Sequence, residues 1–211
     1  MHDPDIVRPP ARPPARLLML HIALLEPQIP PNTGNIARLC AATDTSLHLV
    51  EPLGFTLEEA ELKRAGLDYW DNVDLWVHPG WRAFRDAMSR DRCLYFSAHG
   101  RRSYLDAPYQ PNSCLVFGNE TIGMPDRILE KYPDRIYRIP MTGHVRSLNL
   151  ATAVGIVLYE GLRRTGGLVD AGADGTRPAP REPSGRESRG VGPERDERRN
   201  RGRARRSRPA R

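Results

Sequence analysis

The sequence lacks the features of several common protein classes. Its three cysteines (Cys40, Cys93 and Cys114) are far apart and include no Cys-x-x-Cys pair, which argues against a disulfide framework or a zinc site. No apolar run is long enough to cross a membrane, and no signal-peptide pattern is present. Neither Gly-x-Gly-x-x-Gly nor Gly-x-x-x-x-Gly-Lys-Ser/Thr occurs. We therefore expect a cytoplasmic protein with small buried cysteines, no bound metal and no membrane partner.

Lysine is also scarce, because only Lys63 and Lys131 occur and arginine carries most of the positive charge. Residues 176–211 contain 13 arginines and 5 acidic residues, a net +8, whereas the whole chain is +6, which leaves residues 1–175 at −2. This Gly-, Pro- and Ser-rich segment predicts a disordered arm suited to RNA, or else a solvated low-complexity extension. We divide the chain into a flexible Pro/Arg prefix (1–16), one folded domain (17–166) and a disordered Arg-rich tail (167–211).

Short apolar runs alternate with helical patterns between the prefix and the tail. This alternation predicts an α/β domain with a mostly parallel open sheet flanked by helices. The predicted strands are Leu18–Leu24, Leu47–Val50, Leu75–Val77, Cys93–Ser97, Cys114–Phe117 and Ile136–Ile139. The predicted helices are Asn35–Thr43, Leu57–Ala65, Trp81–Met88, Asp126–Lys131 and Leu148–Arg163.

Three polar loops follow predicted strands, at the edge where such sheets bind ligands. The loops are Glu26–Gly34, Gly118–Pro125 and Pro140–Ser147, and we expect them to converge on one crevice. In the first loop, Asn32 and Gly34 suit a tight turn and a helix cap. That cap would place Arg38 on the first helical turn, near the crevice. An ordinary turn followed by an exposed helix arginine is the alternative.

The second and third loops carry further candidate groups. Gly118 ends a buried strand where a side chain would crowd a ligand, and Gly123 permits a turn. Glu120 would lie beside the place where a ligand approaches Gly118. A glutamate that is merely exposed to solvent is the alternative. In the third loop, Ser147 is a good helix N-cap, and the helix N-terminus it would start offers backbone N–H groups to a small polar ligand.

The three loops together resemble the motifs of SPOUT (α/β-knot) RNA methyltransferases. The matching segments are Asn-x-Gly-Asn-Ile-x-Arg at Asn32–Arg38, Phe-Gly-x-Glu-x-x-Gly at Phe117–Gly123, and Ile-Pro-Met…Arg-Ser-Leu-Asn-Leu at Ile139–Leu150. Within this group the likeness is closest to the tRNA (cytidine/uridine-34) 2′-O-methyltransferases. The segments Glu26–Asn35, Leu49–Phe55 and Arg64–Tyr69 are also similar to that subgroup. The resemblance extends over residues 17–164.

This resemblance implies a sheet with a C-terminal trefoil knot, a homodimer formed through the knot region and the last helix, and S-adenosylmethionine as methyl donor. The substrate would be tRNA, methylated at the 2′-hydroxyl of its wobble pyrimidine without a metal. The implied catalytic residues are Arg38, Glu120 and Asn149. The implied cofactor-binding residues are Phe96, Ser97, Gly118, Ile139, Met141, Ser147 and Leu148. The implied RNA-binding residues are Asn32, Asn35, Arg38, Arg146 and Tyr159.

One departure concerns the second motif, where Asn119 and Ile122 stand in positions at which proline or serine and arginine are common in the family. Two alternatives remain open: a 2′-O-methyltransferase that acts on another tRNA or rRNA position, and a non-catalytic knotted RNA-binding protein. The intact Arg38, Glu120 and Arg146-Ser147-Leu148-Asn149 argue against the second of these. A nicotinamide-dependent α/β enzyme is a more distant possibility, against which the missing glycine fingerprint counts.

Overall fold

The computed structural model describes residues 19–57 and 70–168. In this part of the chain, every pairing between neighbouring strands is parallel, and together the strands form one seven-stranded sheet. The strands are β1 (His21–Leu25), β2 (Ser46–Val50), β3 (Leu75–His78), β4 (Cys93–Phe96), β5 (Arg102–Ser103), β6 (Cys114–Phe117) and β7 (Ile136–Arg138). Their order across the sheet is β3-β2-β1-β6-β4-β7-β5.

Helices cover both faces of this sheet, which explains why its central strands β4 and β6 are apolar along their whole length. The side chains of β1 alternate: Ile22 and Leu24 belong to one core cluster, whereas Ala23 and Leu25 belong to a second. Helices α1 (Pro30–Thr43) and α4 (Leu150–Thr165) pack in the first cluster, and α2 (Trp81–Ala87) and α3 (Asp126–Lys131) pack in the second. The predicted α/β architecture is confirmed.

The last helix shows how sequence spacing fixes its orientation. Val154, Val157, Leu158 and Leu162 recur at helical spacing and are buried against the sheet. Burying each of these side chains contributes about 1.5–3 kcal/mol. Gly166 ends the helix in the left-handed conformation, as is usual for a C-terminal glycine. None of the helices in the described part of the chain is long and apolar enough to cross a membrane.

The predicted strands agree with the structure to within a residue or two wherever their residues are described, but two helix starts differ. Helix α1 begins at Pro30 and not at Asn35, because proline is well tolerated in the first helical turn. Helix α4 begins at Leu150, so the prediction that Ser147 caps it is wrong. The two-residue strand β5 was not predicted, since it has no apolar signal. Apart from its first residue, the predicted helix Leu57–Ala65 lies outside the described residues.

Three histidines form a diagonal row across β1, β2 and β3, on the face covered by α2. His21 Nδ1 lies 3.1 Å from His48 Nε2, and His48 Nδ1 lies 3.0 Å from His78 Nε2. Burial lowers the pKa of all three side chains, and that of His48, in the middle of the row, falls to about 3. The row is therefore neutral at physiological pH. The three cysteines are buried and unpaired, as predicted.

Candidate active site

Four neighbouring strands, β1, β6, β4 and β7, end at the same edge of the sheet because they run parallel. The three motif segments identified in the sequence lie in α1, which follows β1, and around the loops that follow β6 and β7. These segments are far apart along the chain, and the strand order places them side by side. Hydrogen bonds link all three, so the predicted convergence of the loops is confirmed.

Glu120 is the point at which the β6 loop meets the β1 loop. One carboxylate oxygen, Oε2, accepts a hydrogen bond from the backbone N–H of Gln28 at 2.9 Å. The other, Oε1, accepts from the backbone N–H of Ile29 at 3.3 Å and from the side-chain amide of Asn32 at 3.1 Å. The Glu120 carboxylate thus receives three N–H donors, two from the residues just before α1 and one from its first turn. A freely solvated glutamate, the alternative considered from sequence, does not fit this geometry.

Asn32 and Asn149 extend the connection to the third loop. Asn149 Nδ2 donates to Asn32 Oδ1 at 2.9 Å, and Asn149 Oδ1 accepts from the backbone N–H groups of Ala151 and Thr152. Asn149 is therefore the N-cap of α4, the position predicted for Ser147. We call Glu120, Asn32 and Asn149 the polar hub.

The polar hub has one consistent direction of hydrogen bonding. The N-terminus of α4 offers donors, so Asn149 must turn its oxygen toward the helix and its nitrogen toward Asn32. Asn32 must then accept through its oxygen and donate through its nitrogen to Glu120. Glu120 accepts all three of its bonds through its two carboxylate oxygens. Each member thereby fixes the orientation of the next.

A tight turn after β6 positions Glu120. Asn119 Oδ1 accepts from the backbone N–H groups of Thr121 and Ile122, and the backbones of Asn119 and Gly123 pair in both directions. Gly123 has a φ of 74°, as its predicted turn requires. A Cβ on Gly118 would overlap the carbonyl group of Gly123 and the amide nitrogen of Met124. The chain's own backbone therefore requires a glycine at position 118.

The predicted cofactor residues lie along the same edge in three different environments. Phe96 is a core side chain, with its ring 5.2 Å from that of Phe117, so only its backbone is available to a ligand. Ser97 begins the loop after β4 and donates its backbone N–H to Tyr137. Gly118 is buried beneath the turn. The loop residues Ile139, Met141 and Leu148 are half-buried, and Ser147 is exposed.

The predicted RNA-binding residues lie on three segments, namely α1, the loop before α4, and α4 itself. Asn35 and Arg38 are exposed and share one face of α1, since they are three residues apart. Arg38 is on the third turn of that helix, so its predicted place on the first turn is wrong. Arg146 is exposed in the loop that precedes α4. Tyr159 lies about 13 Å along α4 from the start of the helix, since nine residues each rise about 1.5 Å.

Asn32 is only 6% exposed, and both ends of its amide are engaged within the polar hub. A direct contact with RNA, as the sequence suggested, is therefore not favoured by this geometry. Sequence reasoning also missed the backbone N–H groups of Gln28 and Ile29. Asn119 was missed too, although an asparagine followed by a glycine four residues later is a usable turn signal.

Comparison with known proteins places this geometry in a family. A sequence model of the SpoU rRNA Methylase family matches residues 19–159. The tRNA (cytidine(34)-2′-O)-methyltransferase of Burkholderia ambifaria (strain ATCC BAA-244 / DSM 16087 / CCUG 44356 / LMG 19182 / AMMD) is 44% identical over 151 residues, which cover 70% of this chain and 97% of that protein. The protein of the same name from Acidovorax sp. (strain JS42) is 45% identical over 149 residues, covering 69% and 92%.

A solved structure described as giving insight into the 2-OH methylation of C/U34 on tRNA is 47% identical. The match covers 69% of this chain and 95% of that one, with a TM-score of 0.64. The parallel sheet of this chain and its match to the family model confirm the resemblance seen in the sequence. The chain belongs to the SpoU rRNA methylase family, within the SPOUT methyltransferases.

Proposed function

We propose that the protein transfers a methyl group from S-adenosylmethionine to the ribose 2′-hydroxyl of the wobble pyrimidine, position 34, of tRNA. The observation that carries this proposal is the polar hub, which joins all three motif segments at the carboxyl edge of the sheet. Relatives at 44–45% identity bear the name of this reaction. The same relatives also support the assignment as an enzyme.

The residues at the edge suit S-adenosylmethionine in their chemistry. The β7 loop offers the half-buried apolar side chains of Ile139, Met141 and Leu148. Apolar side chains and backbone groups suit a neutral adenine and ribose. Ser97, Gly118 and Ser147 would contribute through the backbone and hydroxyl groups. The cofactor supplies an electrophilic methyl group on a sulfonium centre.

The chain's own residues would orient the acceptor. As an arginine, Arg38 is a poor general base, because guanidinium groups are not deprotonated in proteins. We assign it the positioning of an RNA phosphate and the stabilisation of the negative charge that develops on the 2′-oxygen. Asn35 shares its exposed face, and Arg146 is exposed in the loop that leads to α4. Glu120 and Asn149 would fix the loops that carry these groups.

The exposed face of α4 supports a homodimer. Tyr159 is 48% exposed and Ile156 is half-buried, and they lie on the side of the helix opposite the buried stripe. Val145, in the loop before α4, is 64% exposed. Apolar side chains concentrated on one face suit an interface with a second copy of the chain. We propose this interface, together with the trefoil knot that the family resemblance implies and a cytoplasmic location.

The arginine-rich tail lies outside the described residues, and its role is proposed from charge. Its net charge of +8 would strengthen binding to the phosphate backbone without specifying the reaction. The proposed domain, 17–166, would then contain the whole catalytic site.

Methyl transfer from labelled S-adenosylmethionine to bulk tRNA tests the proposal, with the modified nucleotide mapped by nuclease digestion and mass spectrometry. A 2′-O-methylated pyrimidine at position 34 is expected. Methylation elsewhere would retain the chemistry and replace the target. Binding of S-adenosylmethionine without transfer to tRNA would call for a test on ribosomal RNA. If the cofactor does not bind, the enzyme assignment fails.

A further inference from the structure

The segment that follows β2 packs against the loop that follows β1. Gly54 donates its backbone N–H to the carbonyl oxygen of Pro27 at 2.9 Å. A Cβ on Gly54 would lie 2.5 Å from Gln28 Oε1, 2.9 Å from Gln28 Cδ and 2.8 Å from Gln28 Cα. The side-chain atoms of Gln28 could rotate away, but its Cα could not. An alanine at this position would therefore push the backbone of Gln28.

Gln28 is also the residue whose backbone N–H donates to Glu120 Oε2 at 2.9 Å. Its side chain is folded back, with Nε2 donating to the carbonyl oxygen of Glu26 at 2.7 Å. Glu26 adopts a φ of 52° and donates its own N–H to the carbonyl of Val50, at the end of β2. The loop is thus held on one side by the β2 segment and on the other by Glu120.

We propose that Gly54 is a positioning residue for the methyl-transfer site and acts on Glu120 through the backbone of Gln28. The close packing of Gly54 against Gln28 sets the direction of the Gln28 backbone N–H. That group, the backbone N–H of Ile29 and the side-chain amide of Asn32 together orient the Glu120 carboxylate. The segment 51–54 contributes no group of its own to the polar hub. This inference rests on the proposed function for its activity readout.

A double-mutant cycle tests the connection, with Gly54→Ala and Glu120→Gln made singly and together. Glu120→Gln replaces the carboxylate by an amide. If its oxygen accepts from Ile29 and Asn32, its NH₂ group faces the Gln28 N–H and cannot accept from it, so residue 120 is uncoupled from Gln28. Gly54→Ala should slow methyl transfer at saturating substrates about 10-fold or more, since small misplacements near a reacting centre cost up to about 10²-fold. In the Glu120→Gln background the further loss should be less than about two-fold. Equal losses in both backgrounds would overturn the inference, as would full activity of Gly54→Ala.

Gly155→Ala is the matched control, because its added Cβ meets only Leu39 Cδ2 at 3.9 Å within the described residues. If Gly54→Ala fails to fold, the cycle is run with Gln28→Ala added throughout, which removes Oε1 and Cδ and keeps the backbone N–H. The same variants are followed by thermal unfolding, which needs no activity. Non-additive shifts in Tm are expected there, and additive ones would contradict the inference. An inactive wild-type protein would refute the proposed function, and the unfolding cycle would still decide the role of Gly54.

Discussion

Asn32→Asp is the substitution that tests the polar hub most severely. The new carboxylate could still accept from Asn149, but it would replace the nitrogen that donates to Glu120 at 3.1 Å with an anionic oxygen. Two unit charges at that 3.1 Å distance repel by about 5 kcal/mol at an effective dielectric constant of about 20. Asn32→Ala instead removes the hydrogen bonds and should cost about 1–3 kcal/mol. Asn32→Asp should therefore be the less stable of the two at pH 8.

Urea unfolding of both variants and the wild type between pH 8 and pH 5 separates the two effects. As the pH falls, one proton can be shared between the paired carboxyl groups. The difference in free energy of unfolding between wild type and Asn32→Asp, the deficit of that variant, should therefore shrink. The deficit of Asn32→Ala should remain constant, because that variant adds no titrating group. If Asn32→Asp is as stable as Asn32→Ala at pH 8, or its deficit does not change with pH, then the amide of Asn32 does not hold Glu120 in the way described.

Four further outcomes are expected. The pKa of His48 falls from 6.5 to about 3 in the fold, so the neutral side chain contributes its full stabilisation above pH 6.5. On acidification the free energy of unfolding should therefore decrease, by about 2 kcal/mol between pH 7.5 and pH 5. Urea midpoints measure this loss, and His48→Leu should reduce the slope. Gly118→Ala should lower the free energy of unfolding by about 1–3 kcal/mol through backbone overlap, whereas Gly155→Ala should not. Arg38→Ala should abolish methyl transfer while calorimetry shows unchanged cofactor affinity; retained activity would remove Arg38 from the mechanism. Truncation after Gly175 should lower the affinity for RNA and reduce the dependence of that affinity on salt concentration. If neither quantity changes, the tail does not contribute to RNA binding.

The parallel sheet was predictable because its strands β1, β2, β4 and β6 are buried on both faces. Runs such as Cys114–Phe117 are apolar without interruption, and the structure places that strand at the predicted residues. The convergence of the three motif segments followed from the same reasoning, since parallel strands end at a common edge. Residues whose spacing reflects local backbone geometry, such as Gly123 before Pro125, were also interpreted correctly.

Contacts between distant segments were not predictable. Ser147 and Asn149 are both good N-cap residues, and the choice between them depends on Asn32, more than a hundred residues earlier. Asn32 itself was assigned to RNA because an amide in a polar loop has many possible partners. Gly54 was recognised as part of a motif, but its physical reason is the nearby backbone of Gln28. Local propensity carries no information on such pairings.

The row of histidines across the first three strands has a consequence for how protons are held there. Each of the two N–H···N contacts holds one proton, so only the two outer nitrogens, His21 Nε2 and His78 Nδ1, remain to carry another. In the neutral row one outer nitrogen is protonated, and moving that proton to the other end reverses the tautomer of all three rings together. One extra proton fills both outer positions with both contacts intact. A second must break one of the contacts that His48 makes, so the protonation states of the three histidine side chains depend on one another.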